Sequence, residues 1–273
     1  MRFRLILPML LAAAAITAWQ AETRAALEQR LLLRSLTAQL TPLGSLSYGA
    51  TSAHFWGSGR VENLRFAPDA DWIARHALPA DFALHIPQLH YSDWQADEGW
   101  PAAVRLQFDT ATLPLPAPWP RTASGTLDWQ YRRVEGTLRV ALTLDAPRAA
   151  AADATLSLQL AAPQRLTGAT LLGGTLQYRD QGLAQGARAA LALQLGADPQ
   201  NADSALAEML AQWLTEQGLP PTAELRESLT AFAREPLALT LHLDPPGALR
   251  PDTLLLFAPA DRIAALGLSV QAQ

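Results

Sequence analysis

Gly136-Thr-Leu-Arg-Val-Ala-Leu-Thr-Leu-Asp145 carries the decisive pattern. Leu138, Val140, Leu142 and Leu144 alternate with Arg139, Ala141 and Thr143. A period of two places the aliphatic set on one face of a strand and the remainder on the other. The same alternation recurs on both sides: Leu127, Trp129 and Tyr131 before it, Leu156, Leu158 and Leu160 after it. Further out lie Val104, Leu106 and Phe108, then Phe82, Leu84 and Ile86, and at the far side Leu176 and Tyr178. Short turns separate these runs and no helical period intervenes. The expectation is an antiparallel meander with one apolar and one polar face.

The meander is expected to begin at Ser45. Leu46 to Phe55, the turn Gly57-Ser58-Gly59 and Arg60 to Phe66 read as a hairpin. Pro87 is expected to shift the register before Leu89 and Tyr91. Residues 111–120 (ATLPLPAPWP) hold four prolines and read as an edge or connector.

After Tyr178 the period changes. Asp180 can cap a helix over about 181–195, although alternation over Ala187–Leu195 also permits a strand; the alanine content and the Gly196…Pro199 stop favour the helix. Ser204 to Gln217 is a second helix with Leu206, Met209, Leu210, Trp213 and Leu214 as its stripe. Thr222 caps a third, ended by Pro236. Leu237, Leu239, Leu241 and Leu243 return to strand, a short helix near Pro259–Leu266 stops at Gly267, and Leu268–Ala272 closes as an edge strand. The fold class is therefore α+β, with a C-terminal helical group packed on or beside the sheet. Residues 45–273 are read as one exported domain: mainly β over 45–180, mainly helical over 181–235, and a closing strand and short helix over 236–273.

The N-terminus supplies the address. Arg2 and Arg4 flank an apolar run from Leu5 to Ala18, closed by Trp19. Residues 1–19 read as a signal-anchor helix, because the small residues that a cleavage site needs are poorly placed. The positive-inside rule puts the N-terminus in the cytoplasm of a bacterium and the bulk of the chain in the periplasm. A cleaved signal and a soluble periplasmic protein is the alternative. Residues 20–44 continue as an amphipathic stalk, with Leu27, Leu31, Leu32, Leu36 and Leu40 expected to form the face that packs on the domain or on a partner helix.

Composition removes several chemistries. The chain has no cysteine and all 21 of its basic residues are arginine. Disulfides, thiol nucleophiles, zinc–thiolate sites and lysine Schiff bases are excluded. Without Arg2 and Arg4, 19 basic side chains face 25 acidic ones, which argues against nucleic acid. Gly57-Ser58-Gly59 is a turn and no nucleophile elbow. His85 and His90, five apart, point to opposite faces of a regular strand unless a bulge at Pro87 corrects them; they read as surface histidines and no metal site is assigned. Acid–base work needs two carboxylates facing each other across a substrate; Asp69/Asp71 and Asp93/Asp97/Glu98 read instead as loop carboxylates on an acidic surface. No catalytic residue and no cofactor is assigned.

Six of the eight tryptophans fall within residues 56–129. Core closure is the first reading; an aromatic-lined binding groove is the second. Trp72, Trp94 and Trp100 fall in segments that read as irregular, among acidic residues, and are expected to be the exposed, ligand-binding ones.

The order of parts resembles the uncharacterised YdgA-like bacterial envelope proteins and, more distantly, AsmA-like proteins. The resemblance is carried by Leu46-Ser-Tyr-Gly49 followed by Gly57-Ser-Gly-Arg-Val61-Glu-Asn-Leu64, by Ala231-Phe-Ala-Arg-Glu-Pro-Leu-Ala-Leu239 and by Leu266-Gly-Leu-Ser-Val270. It implies a periplasm-facing, membrane-tethered role in envelope upkeep or lipid handling. With the anchor, the one-faced sheet and the Trp-rich first half, the expectation is a non-enzymatic protein held to the inner membrane through residues 5–19. Such a protein would bind a hydrophobic ligand, such as a lipid, or an envelope protein in cell-envelope upkeep. A scaffold subunit of a secretion or pilus machine is the alternative, and a secreted hydrolase a third.

Overall fold

The computed structural model describes residues 20–272 apart from 21, 32, 35–36, 39, 42, 76–77, 98–99, 115–119, 161–167, 196–198 and 255. The expected anchor over residues 1–19 lies outside the described residues. Among those described, no helix is long and apolar enough to cross a membrane. Eleven strands are described, with all described pairings antiparallel, together with helices; the α+β class and the meander are as expected. The chain divides into two compact units, residues 1–95 with 104–115 and residues 96–103 with 116–273.

In the first unit, β1 (Gly44–Ser47) and β2 (Thr51–His54) lie end to end along one edge of β3 (Ser58–Pro68). On the other edge lies β4 (Leu84–Asp97), followed by β5 (Trp100–Thr112). The single strand expected over 46–55 is thus broken, and Asn63 is the cause. It adopts a left-handed conformation at φ 51°, which asparagine tolerates better than most residues. Its neighbour Glu62 instead bridges the gap, donating from its N–H to Ala50 O and accepting from Gly49 N–H. On the β4 side the ladder is constant from Gly59↔Tyr91 to Phe66↔Leu84. Pro87 therefore shifts nothing, contrary to expectation: the irregularity sits opposite it, at Asn63, where a residue without an N–H costs the ladder little. A short helix, α1 (Ala70–Arg75), follows β3.

Residues 22–31 are helical, as are 33–34, 37–38 and 40. Of the expected leucine stripe, Leu32 and Leu36 lie outside the described residues and Leu40 is half-buried, while Leu27 and Leu31 do not pack on this unit. Gln29 and Leu33 are buried, whereas Leu27 and Leu31 are 57% and 55% exposed. Two residues along a helix is about 200° of rotation, so the two sets face nearly opposite ways. The physical reason is the Gln29 amide, which donates to Ser52 O at 3.4 Å and Arg60 O at 3.3 Å. With the small Ala25 and Ala26 a turn earlier, this face approaches the hairpin backbone closely.

In the second unit the strands run in sequence order: β6 (Thr122–Arg132), β7 (Thr137–Ala146), β8 (Ala150–Gln159), β9 (Thr170–Asp180), β10 (Ala238–Leu243) and β11 (Leu268–Ala272). Trp129, Val140, Leu156, Gly174, Leu243 and Leu268 line up across the sheet, as do Leu127, Leu142, Ala154, Leu176, Leu241 and Val270. The opposite face carries Arg139, Ser157, Thr155 and Thr175, the last two sharing a hydroxyl hydrogen bond of 2.8 Å.

Two helical excursions leave this meander and return to their starting points. The first holds α2 (Leu183–Leu195), α3 (Pro199–Glu216) and α4 (Ala223–Arg234). It is pinned at its base by Asp180 N–H donating to Leu237 O. The helix reading of 183–195 holds because Asp180 caps it: its carboxylate accepts from the N–H groups of Gly182 and Ala184 at 3.0 and 2.8 Å. Thr222 caps α4 by accepting from Leu225 N–H. Helix α3 begins five residues before the expected Ser204. The second excursion holds α5 (Pro251–Leu254) and α6 (Pro259–Leu266) and ends on Gly267, whose φ of 57° terminates the helix. The helices pack on the sheet's apolar face through Leu225, Leu229, Ile263, Leu266, Leu268 and Val270.

These contacts set two different magnitudes. Leu138 is 1% exposed among Tyr131, Leu160 and Ala169. Leu138→Ala is expected to cost ~2–5 kcal/mol. Thr222→Ala removes one cap and is expected to cost about 1 kcal/mol. Urea denaturation followed by circular dichroism checks the order; a larger loss for the cap would contradict the assigned core.

Candidate functional site

Aromatic side chains gather at one end of the first unit, where β2 turns into β3. The loop between His54 and Ser58 holds only Phe55, Trp56 and Gly57. Gly57 takes φ 82° and donates its N–H to His54 O at 3.1 Å, closing a three-residue hairpin loop on a left-handed residue. The remaining two positions are aromatic. The Trp56 ring stacks on His54 with centroids 4.6 Å apart and planes 6° from parallel, and Phe55 meets Trp56 edge-on at 5.0 Å. Both remain open to solvent, Phe55 at 53% and Trp56 at 62% exposed. His54 Nδ1 lies 3.9 Å from Glu22 Oε1; the two side chains are largely solvated, so the pair adds little energy and chiefly marks position.

The neighbouring strand supports this tip. Trp94 N–H donates to Gly57 O at 2.9 Å. A Cβ on Gly57 would stand 2.6 Å from Trp94 O, so the loop reaches the strand only because position 57 is glycine. Tyr91 meets Trp94 edge-on with centroids 6.5 Å apart. A side chain on Gly59 would overlap the Tyr91 hydroxyl and Ser52 O, so the phenol lies over a bare stretch of β3. Burial pushes the Tyr91 phenol up to about 12. In the second unit, burial first and then the hydrogen bond to Asp180 also raise Tyr178.

The three tryptophans expected to bind ligand are not brought together. Trp94 belongs to the aromatic end and is half-buried on β4. Trp72 sits on α1, where its N–H donates to Asp69 Oδ1 at 2.6 Å. That helix lies at the other end of β3, about 33 Å along the strand by its ten-residue rise. Trp100 opens β5, with its side chain outside the described residues. The segments read as irregular are thus a helix turn and two strands, and Trp72 and Trp94 are half-buried. The exposed pair is Phe55 and Trp56. The signal was present in the tight Gly57 turn, which left no interior position for either ring.

The remaining candidates resolve individually. Asp69 serves as a helix cap. His85 and His90 pair with Arg65 and Arg60 along an unbroken register, which keeps them on opposite faces. Among the described residues no group of three His, Cys, Asp or Glu could hold a metal ion. A shallow recess of about 250 Å³ opens on the second unit's polar face beside Gln130, Arg132, Arg139 and Ser157. Its volume is below the roughly 300 Å³ at which ligand pockets begin, and its lining mixes polar side chains with Leu138 and Leu172.

Fold and site together define an α+β protein built on an antiparallel meander, with an exposed aromatic end. Residues 133–273, just over half of the chain, match the model of a family described as "Uncharacterized protein", and the chain belongs to that family. No curated protein matches the sequence.

The Tyr91 environment has a titration signature. The unfolded chain releases this proton near pH 10 and the folded chain near 12. The folded state therefore holds more protons in that interval, and the stability tied to the neutral phenol is lost as pH rises from about 10 through 12. Tyr178 acts in the same direction. Tyr91→Phe is expected to remove one late-titrating phenol from the phenolate absorbance curve and to flatten the alkaline fall in stability; an unchanged curve would contradict the burial of Tyr91.

Proposed function

We propose that this is a periplasm-facing protein tethered to the bacterial inner membrane through residues 5–19, as its resemblance to YdgA-like and AsmA-like proteins implies. It works by binding an envelope partner rather than by catalysis. One observation carries the choice of partner over enclosed ligand. The helical segment that follows the apolar run buries Gln29 and Leu33 against its own unit and leaves Leu27 and Leu31 outward. An apolar pair four residues apart on an exposed helix face suits a second helix. Eight and twelve residues beyond Trp19 in the sequence, the pair would meet a partner anchored in the same bilayer. A scaffold role in a secretion or pilus machine is a special case of this reading, in which the partner is stoichiometric.

Two measurements test it. Full-length protein is expected in the carbonate-resistant membrane fraction, with residues 1–19 retained by mass spectrometry of the intact chain; protein lacking them is expected in the soluble fraction. Leu27→Gln with Leu31→Gln is expected to abolish crosslinking from that face in membranes while leaving the denaturation midpoint within about 0.5 kcal/mol of the parent, as surface substitutions do. A full chain recovered soluble and shortened would overturn the tether.

A further inference from the structure

The helical segment and the aromatic hairpin share one end. Glu22, three residues beyond Trp19, lies beside His54, and Gln29 lies beside Ser52 and Arg60. The helix therefore enters at the hairpin's turn and runs away from it along β2 and β3. The apolar run of the sequence ends three residues before Glu22, which sets the described helix beside the loop holding Phe55 and Trp56. These are the two rings that the turn leaves exposed, and they lie directly beyond His54. Tryptophan and other amphipathic aromatics favour the headgroup layer, where one part of the ring is apolar and the other wet.

We propose that the Phe55–Trp56 tip is a second membrane contact, its rings seated in the headgroup layer of the bilayer that residues 5–19 enter. This rests on the tether reading above and adds orientation to it. A single span leaves a domain free to swivel, whereas a span and an aromatic tip on one side of it fix two points. The long axis of β3 then stands away from the bilayer. Asp81, exposed in the connection between β3 and β4, is held at the end farther from it. Gly57 and Trp94 give the tip its rigidity, since the loop is hydrogen-bonded to a strand on each side.

The absence of cysteine makes the test direct. Full-length protein carrying Phe55→Cys with a nitroxide label is reconstituted into phosphatidylethanolamine–phosphatidylglycerol vesicles. Flotation first reports whether the chain is held by the vesicles. The label at position 55 is expected to collide with oxygen more than with a water-soluble nickel chelate. The same label at Asp81→Cys is expected to show the reverse. Adding Trp56→Ser to the Phe55→Cys protein is expected to lower the oxygen-to-nickel ratio several-fold, with flotation unchanged. A chain that floats but gives position 55 the nickel-dominated pattern of position 81 overturns the tip contact and leaves the tether standing. Low collision with both reagents at position 55 overturns it in favour of a protein surface covering the tip. A chain that does not float overturns the tether and the tip contact together.

Discussion

Everything in the second unit depends on one alignment of side chains across six strands. The ladder carries Val140 to Leu156, Leu243 and Leu268, and Leu142 to Ala154, Leu176, Leu241 and Val270, so both aliphatic rows share the face on which the helices pack at Leu243, Leu268 and Val270. A slip of one residue anywhere in it would turn the row to the polar side. The alignment survives a bulge near Ser157 and Leu158 because the irregularity is taken up at one end of β8 and β9. It also survives two helical excursions, because each is closed at its base. Asp180 meets Leu237 at the first, and Asp244 N–H donates to Gly267 O at the second. The helices can therefore be read as insertions in hairpin connections, held by the sheet rather than interrupting it.

The same economy governs the first unit, where backbone contacts replace a deep core. Gln29 reaches the carbonyls of a cross-strand pair, Ser52 and Arg60, and so chooses which side of its helix faces inward. The amide nitrogen is satisfied by these carbonyls while its oxygen is buried without a partner among the described residues, and Leu27 and Leu31 on the far side are left outward. Asn63 interrupts β3 on both edges without changing either register, because Gly49 and Pro87 stand opposite it. The aromatic end follows from a loop too short to fold back: three residues between paired strands, the last of them glycine.

Much of the fold was legible in the residues. Strand after strand announced itself by alternation, and the caps at Asp180 and Thr222 and the stop at Gly267 marked helix ends through local chemistry. What misled or stayed open was non-local. Leu27 and Leu31 carry a helical period that suits packing on the domain or on a partner helix, and which of the two applies is decided by what the other side of the helix meets. Pro87 reads as a register fault, yet its partner position absorbs the irregularity. Trp72, Trp94 and Trp100 share composition and neighbours in sequence, but β3 separates Trp72 from Trp94 by its whole length. The site had a local signature after all, in Phe55-Trp56-Gly57, where turn geometry leaves two large rings no interior to enter.

The sequence by itself determined most strands of the meander, the helical character of residues 183–234, the antiparallel class, the removal of thiol and lysine chemistry, and an apolar run ending at Trp19. These follow from periodicity and residue chemistry, which act within a few positions along the chain. Only the tertiary structure decided which face of the stalk helix is outward, and which aromatics are exposed. It alone brought Glu22 beside His54, and so set the start of the described helix against the hairpin tip. Those outcomes depend on residues that are distant in sequence and adjacent in space, and no local pattern encodes that adjacency.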